Sequence, residues 1–543
     1  MKACAKCKNK FEISDTDRTF YSKISVPDPS LCPDCRRQRR FAWRNERFMY
    51  KRACDFSKKQ IISMISPEKP YTVYDKNVWW SDNWDGLTYG QDFDFNKPFF
   101  EQFGELVKKV PRINMTLSHC ENSDYGPYCV SARNVYMAVS CVESEDLFYC
   151  YQTNHSRDCM DCMLTYKSEL CYECTYGVNL YNCFWTQNCR ESSDLLFCRD
   201  CQGCEKCIGC VNLTQKKLHI FNKPVSEEQY NEFVQKLHTA NAIEQCKQEF
   251  LKFSLQFPFR STHNIQAENC IGDRLIKSKN AKYCFEAEEL EDCAYIYVLP
   301  SGAKDTYDTH YSPAVELVYE AMSASYDYNT AFVNHAWDVK NSRYVDSCFY
   351  SSNLFGCAGL KKNNYCILNK QYSKEEYENL MPKIIEHMQK SGEWGEFFPM
   401  QLSPYAYNES LAQDYFPLTQ REVQQIGLSW KEPESKEFMK QTLQVSDQIQ
   451  DIPDEITKEI LACIACGKNY RIIAQELQFY RKMKLPIPQK CPNCRYQERL
   501  FFRSSHKLYD RTCNKCQKTI KTTYKSNDQK IVYCEECYLK EVY

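Results

Sequence analysis

Between residues 119 and 225, short segments rich in Tyr, Val and Phe alternate with clusters of Asn, Asp, Ser and Glu, at intervals of about 20 residues. Cys120, Cys141, Cys162, Cys183 and Cys204 mark that rhythm at 21-residue steps, as do Cys129, Cys150 and Cys171. Short strands between polar corners, repeating at this length, predict a parallel β-solenoid with one coil per repeat. After it the pattern turns helical. Ser226-x-x-Gln229 and Ser373-x-x-Glu376 are capping boxes, followed by Tyr230, Phe233, Val234 and Leu237 and by Tyr377, Leu380, Met381 and Ile384 at amphipathic spacing. These helices are expected to cover the open ends of solenoids. A further helix is predicted near Pro98–Val110, and the run Trp79, Trp80, Trp84, Phe93, Phe95, Phe99, Phe100 suggests a segment docked on a neighbour. No apolar run is long enough to cross a bilayer, so no membrane span is expected.

The central pattern is duplicated with a displacement of 147 residues. Glu169-Leu170-Cys171-Tyr172-Glu173 matches Glu316-Leu317-Val318-Tyr319-Glu320, Asp158 and Asp161 match Asp305 and Asp308, and Asn222-Lys223 matches Asn369-Lys370. In the second copy Thr309, Val318, Ala321, Thr330 and Val345 replace Cys162, Cys171, Cys174, Cys183 and Cys198. Exchange of a thiol for small side chains of similar volume is how a packed interior varies, so these cysteines read as buried filling. Five thiols three residues apart (Cys198, Cys201, Cys204, Cys207 and Cys210) carry the alternative of an iron–sulfur cluster. Its counterparts Val345, Cys348, Ser351, Leu354 and Cys357 would not support one.

A second duplication occupies the two ends. Cys4, Cys7, Cys32, Cys35 and Cys54 recur 459 residues later as Cys463, Cys466, Cys491, Cys494 and Cys513, and the later copy continues with Cys516, Cys534 and Cys537. The earlier copy has Ser57, Asp75 and Val78 there instead. Paired CxxC motifs supply the four thiolates of a tetrahedral zinc site, which leaves no open position for substrate water. Because the earlier copy keeps pairs one and two whole and loses both later pairs, neighbouring pairs should share an ion. Three zinc ions follow, with Cys54 left over. Modules this short should draw much of their folding free energy from metal.

The motifs Cys4-Ala5-Lys6-Cys7, Phe20-Tyr21 and Cys32-Pro33-Asp34-Cys35-Arg36, with Cys463-Ile464-Ala465-Cys466, Phe479-Tyr480 and Cys491-Pro492-Asn493-Cys494-Arg495, resemble a family of zinc-binding domains of treble-clef or zinc-ribbon type. The resemblance covers about 35 residues at each end and implies metal binding. The whole chain is similar to a class of large bacterial proteins with zinc-ribbon ends and a Cys- and Tyr-rich middle.

Each CPxCR motif should open a helix, with proline in the first turn. Arg36, Arg40 and Arg44 in one copy, and Arg495, Arg499, Arg503, Lys507 and Arg511 in the other, would line one helical face. Beside aromatics such a stripe suits nucleic-acid contact, or it can pair with the protein's own acidic groups. The whole chain balances 70 basic against 71 acidic side chains, so no global field draws it to polyanions. Catalytic signatures are lacking: no phosphate loop, dinucleotide fingerprint or HExxH occurs. The carboxylates Asp158, Asp161, Glu173, Asp305, Asp308 and Glu320 could serve acid–base chemistry, but corner hydrogen bonding explains their recurrence more simply.

The organisation expected is a zinc module over 1–80 with a degenerate second site, an aromatic connector over 81–118 and a first solenoid over 119–225. A helix and connector over 226–268 lead to a second solenoid over 269–372 and a helical extension over 373–430. A linker over 431–455, rich in Lys, Glu and Gln, precedes a two-site zinc module over 456–543. The fold class is mainly β with α. The function expected is a zinc-binding interaction protein whose rigid solenoids hold recognition modules for a protein partner. An RNA- or DNA-binding, ribosome-associated protein is the alternative, and a β-helix enzyme comes third. With a CxxC pair beginning at residue 4 and so many thiols, the cytoplasm is the expected compartment.

Overall fold

The computed structural model describes residues 1–299, 301–432 and 438–542. Two parallel β-solenoids form its body, and strands pair with strands one coil on: Glu145 with Arg157, Cys159 with Cys171, Val318 with Thr330. The coil is therefore 12 residues, the same separation over which Asn134 bonds to Asp146 and Asn188 to Asp200. This corrects the expectation of one coil per cysteine interval.

The coil's geometry rests on a period of three. Asp158, Asp161, Leu164, Lys167 and Leu170 all take left-handed backbone angles, φ 49 to 55°, and the residue after each points inward. Every third residue from Ser123 to Cys210 is buried, so each coil has four short sides and contributes four side chains to the interior. Left-handed corners on non-glycine residues cost on the order of 1 kcal/mol each, and parallel ladder bonds between coils offset this. Asn and Asp tolerate these corners best, and their side chains bond to one another along the stack.

Sides only three residues long leave a narrow interior, filled by Cys, Ser, Thr, Ala, Val and Leu. Cysteine suits it because the thiol packs as a small apolar group yet donates weakly to carbonyls. Cys198 Sγ lies 3.4 Å from the Leu196 carbonyl and 3.5 Å from that of Cys207. The 21-residue cysteine spacing now has a geometric meaning. It is two coils less one side, so successive cysteines step around the four interior columns rather than stacking in one.

The second solenoid carries two frame shifts: Ile265 pairs with Ile276, a coil one residue short, and Leu290 with Ala303, a coil one residue long. Each solenoid ends in a small antiparallel hairpin, Lys217–Ile220 with Lys223–Pro224 and Asn364–Ile367 with Lys370–Gln371. The helices Glu227–Lys236 and Lys374–Ser391 follow, each with its capping box formed, and pack Tyr230 and Tyr377 against the last coils. A second helix, Ala240–Ser254, precedes the second solenoid. The helix Phe99–Lys109 and Trp79 are buried against the second solenoid, where Phe99 meets Phe355 and Trp79 meets Phe349. In the stretch expected as a linker, residues 433–437 lie outside the described residues, while Ile449 and Ile452 are buried beside the helix Ala474–Met483. Among the described residues no helix is long and apolar enough to cross a membrane.

Candidate metal centres and the joints that hold them

Three groups of four thiols gather, each with its sulfurs within 4.8 Å of one another: Cys4, Cys7, Cys32 and Cys35; Cys463, Cys466, Cys491 and Cys494; Cys513, Cys516, Cys534 and Cys537. In each group one pair sits on the knuckle of a short hairpin and the other at the start of a helix. Cys463 and Cys466 join Leu461–Ala462 to Asn469–Tyr470, with Gly467 at φ 73° to close the turn. Cys491 caps the helix Pro492–Phe501 and Cys494 lies in its first turn, and burial pushes both thiols up, Cys494 further through its neighbouring thiols.

The closest sulfur pairs, Cys7–Cys32, Cys466–Cys491 and Cys516–Cys534, lie 3.7, 3.8 and 3.7 Å apart. Four sulfurs about 2.3 Å from a common centre stand about 3.8 Å apart, so the spacing fits a tetrahedral thiolate site. Burial pushes the Cys463 thiol up, but backbone N–H groups of Cys491, Cys466 and Ala465 bring it down to about 6. Cys513 reaches about 6 in the same way, against burial, through Cys516, Cys534 and Lys515. The donor set fits a soft or borderline ion such as zinc, held structurally.

The degenerate half-site keeps its fold without its ligands. The hairpin Tyr50–Ala53 with Gln60–Ser63 corresponds to Tyr509–Thr512 with Thr519–Thr522. Cys54 still accepts from the N–H groups of Ser57 and Asp75, at 3.4 and 3.2 Å. Cys198 to Cys210 remain in the solenoid interior and form no such group among the described residues.

The helices stop at Phe41 and Phe501, so Arg44, Arg503, Lys507 and Arg511 lie beyond the helical face expected to carry them, Arg511 on the strand Tyr509–Thr512. The arginines up to Arg503 turn inward. Arg36 donates to Asp308 through Nε at 3.0 Å and Nη2 at 2.7 Å, and Arg40 binds Asp308 at 3.0 Å and Glu320 at 3.2 Å. Arg39 adds a second bond to Glu320 at 2.7 Å. Burial pushes the Glu320 carboxyl up, against the lowering pull of Arg39 and Arg40. At the other end Arg495 and Arg499 meet Asp161 at 2.7 and 2.8 Å. Arg44 is paired with Glu46, and Arg503 with Glu286 beside His506.

Arg36, Arg40, Arg44, Arg495, Arg499 and Arg503 are all buried, so none can meet a phosphate while its module stays docked. Of the remaining stripe residues, Lys507 is exposed, and Arg511 is half-buried, donating to the carbonyls of Lys525 and Lys530. The aspartates expected at hydrogen-bonded corners are instead sockets for these arginines and, through Asp158 and Asp305, for Lys482 and Lys23 at 3.0 and 2.7 Å.

These joints repeat by both displacements at once. Arg36 on Asp308 corresponds to Arg495 on Asp161, Lys23 on Asp305 to Lys482 on Asp158, and Tyr21 against Tyr319 to Tyr480 against Tyr172. Val73-Tyr74 pairs with Arg112-Ile113 ahead of the first solenoid, and Val532-Tyr533 with Phe259-Arg260 ahead of the second. Each module thus grips one solenoid with its arginine helix and the approach to the other with its last strand. Reading motifs singly missed this pairing. Its signal was the recurrence of Asp161/Asp308 and of Arg36/Arg495 in two separate duplications.

A duplicated parallel β-solenoid clamped by modules that gather thiols in fours defines the class: a solenoid protein whose ends could hold metal ions. No family model and no curated protein matches the chain. A solved structure from Desulfovibrio desulfuricans G20, provisionally described as an acetyltransferase, aligns over 51% of this chain and 81% of its own at 7% identity. Its TM-score of 0.09 carries no argument about fold or activity.

Proposed function

We propose that the protein is a non-catalytic scaffold in which three structural zinc ions hold two solenoids together and the exposed solenoid faces receive a protein partner. The observation that carries this reading is that each terminal module bridges both solenoids through buried arginine–carboxylate joints and a terminal strand. A knuckle hairpin joined to a helix start supports treble-clef-type modules, and an interior full of free thiols supports a reducing compartment such as the cytoplasm. Buried carboxylates already neutralised by arginine support a binding role over an acid–base one.

Metal analysis and small-angle scattering test it together. The purified chain should carry three zinc ions, and a chelator should expand it as the clamps release. A stripped chain of unchanged compactness would remove metal from the proposed role. Capture from lysate with and without nuclease addresses the partner: loss on nuclease treatment would transfer the partner role to nucleic acid, with Lys507 as the exposed residue of the stripe.

A further inference from the structure

A large cleft lies where the degenerate half-module meets the second solenoid. It encloses about 950 Å³, within the range of ligand sites. Its walls are aromatic: Trp80 and Trp84 come from the half-module side, Trp337 and Tyr350 from the solenoid. Trp80 and Trp337 run nearly parallel, with centroids 6.1 Å apart and planes 14° apart, and Tyr350 is 52% exposed.

The same place in the other half is built differently. Displaced by 147 residues, Trp337, Phe349, Tyr350, Lys361 and Lys362 become Arg190, Gln202, Gly203, Thr214 and Gln215. Trp80 becomes Leu539 in the copy that keeps its four thiols. The half that lost a thiol set is therefore the half that gained tryptophans. Trp80 and Trp337 also pack on the buried Phe349, at 4.8 and 5.0 Å, so these rings join the half-module to the solenoid as well as lining the cleft.

Charge narrows the ligand. Lys361 is spent internally: its ammonium donates to the carbonyls of Trp79 and Ser81, both at 2.9 Å, and lies over the Trp79 and Trp84 rings. Lys76 is paired with Asp124 at 3.2 Å, and Asp82 and Asp85 stand exposed at the rim. A phosphodiester would meet carboxylates there, and among the described lining residues only Lys362 offers an uncommitted ammonium beside them. Flat indole faces within a polar, electrically balanced rim match a neutral ring with apolar faces and an edge of hydroxyls, which is a pyranose.

The solenoid face also extends the row. Tyr326, 66% exposed, stands two coils before Tyr350, roughly 9–10 Å away at the strand spacing of a sheet, so a chain of sugars could continue along it.

We propose that this cleft binds a neutral oligosaccharide, stacked on Trp80, Trp337 and Tyr350. Isothermal titration calorimetry of the metal-loaded full chain would use cellohexaose, xylohexaose, chitohexaose and maltohexaose, with an oligothymidylate as the anionic comparison. At least one neutral hexaose should bind saturably. Tyr350→Ala and Trp337→Ala should each weaken it by about tenfold or more, with circular dichroism and metal content unchanged. The exposed position of Tyr350 keeps the test open even if Trp337→Ala misfolds. The proposal is overturned if none of the four hexaoses binds, if binding survives Tyr350→Ala undiminished, or if the oligothymidylate competes for the cleft with salt-dependent affinity.

Discussion

Asp308→Ala is the sharpest probe of how the modules are held. In the intact joint one carboxylate serves two buried guanidiniums, Arg36 on one oxygen and Arg40 on the other. Removing it leaves Arg40 with Glu320, but leaves Arg36 with only the Leu31 carbonyl and the face of Tyr295. An uncompensated buried charge costs about 3–5 kcal/mol, which lowers the docking equilibrium of the N-terminal module by roughly two to four decades. Asp158→Ala removes a partly exposed pair with Lys482 and should cost about 0–1 kcal/mol, less than a decade. Hydrogen exchange in the helix Pro33–Phe41 reads the first change, and exchange in Pro492–Phe501 should stay as it was. Adding Arg36→Met to Asp308→Ala should recover most of the loss, because the charge left bare is then gone. If Asp308→Ala speeds exchange in Pro33–Phe41 by less than tenfold, or Arg36→Met gives no recovery, the buried pair is not what docks the module.

Other outcomes follow from the same structure. Cys4→Ser with Cys35→Ser should lower bound metal from three ions to two, whereas Cys54→Ser should leave three, read by elemental analysis of the intact chain. Cys171→Val should be tolerated, as its counterpart Val318 suggests, while Cys171→Asp places a charge among buried thiols and should abolish soluble expression. His335 is held down to about 4, chiefly by burial, so it stays neutral in the fold while the unfolded chain takes up a proton near 6.5. Stability from this group is therefore present above about pH 6.5 and falls as pH drops towards 4, by about 3 kcal/mol. The difference between wild type and His335→Phe in denaturation midpoint should shrink over that window, and a constant difference would rule the histidine out.

The chain's pattern carried the solenoid because short strands and polar corners are local features, and the thiol groups because CxxC spacing is local too. The coil length was harder to read. Inward positions recur every three residues, and any multiple of three between cysteines keeps them inside, so a spacing of 21 looks like a period without being one. Only strand register, fixed by backbone pairing between coils, separates the true coil from the cysteine interval. The basic residues were legible but not their setting: the helices stop at Phe41 and Phe501, leaving Arg44, Arg503, Lys507 and Arg511 off the expected face, and the inward direction of the buried arginines was not legible either. A helix with Arg at i, i+4 and i+8 reads as a solvated face unless its acidic partners are known. Those partners lie 272 residues from Arg36, 281 from Arg39 and 334 from Arg495.

That long reach explains why the chain is built as module, solenoid, solenoid, module. The N-terminal arginine helix docks on the second solenoid and the C-terminal one on the first, so each half is completed by the far end of the chain. Closing so long a loop costs little more than closing a short one, since the entropy grows only with the logarithm of length. What the closure needs is a grip that survives, and a helix seated on a four-thiol group and carrying buried charges provides one at each end. The clamps are then redundant in part. The N-terminal half-module keeps only one of the four thiols, and the Val73–Arg112 strand pairing and the buried Trp79 still seat it. The aromatic cleft lies on that side of the molecule, beside the half-module in which Ser57, Asp75 and Val78 stand where the other copy has thiols.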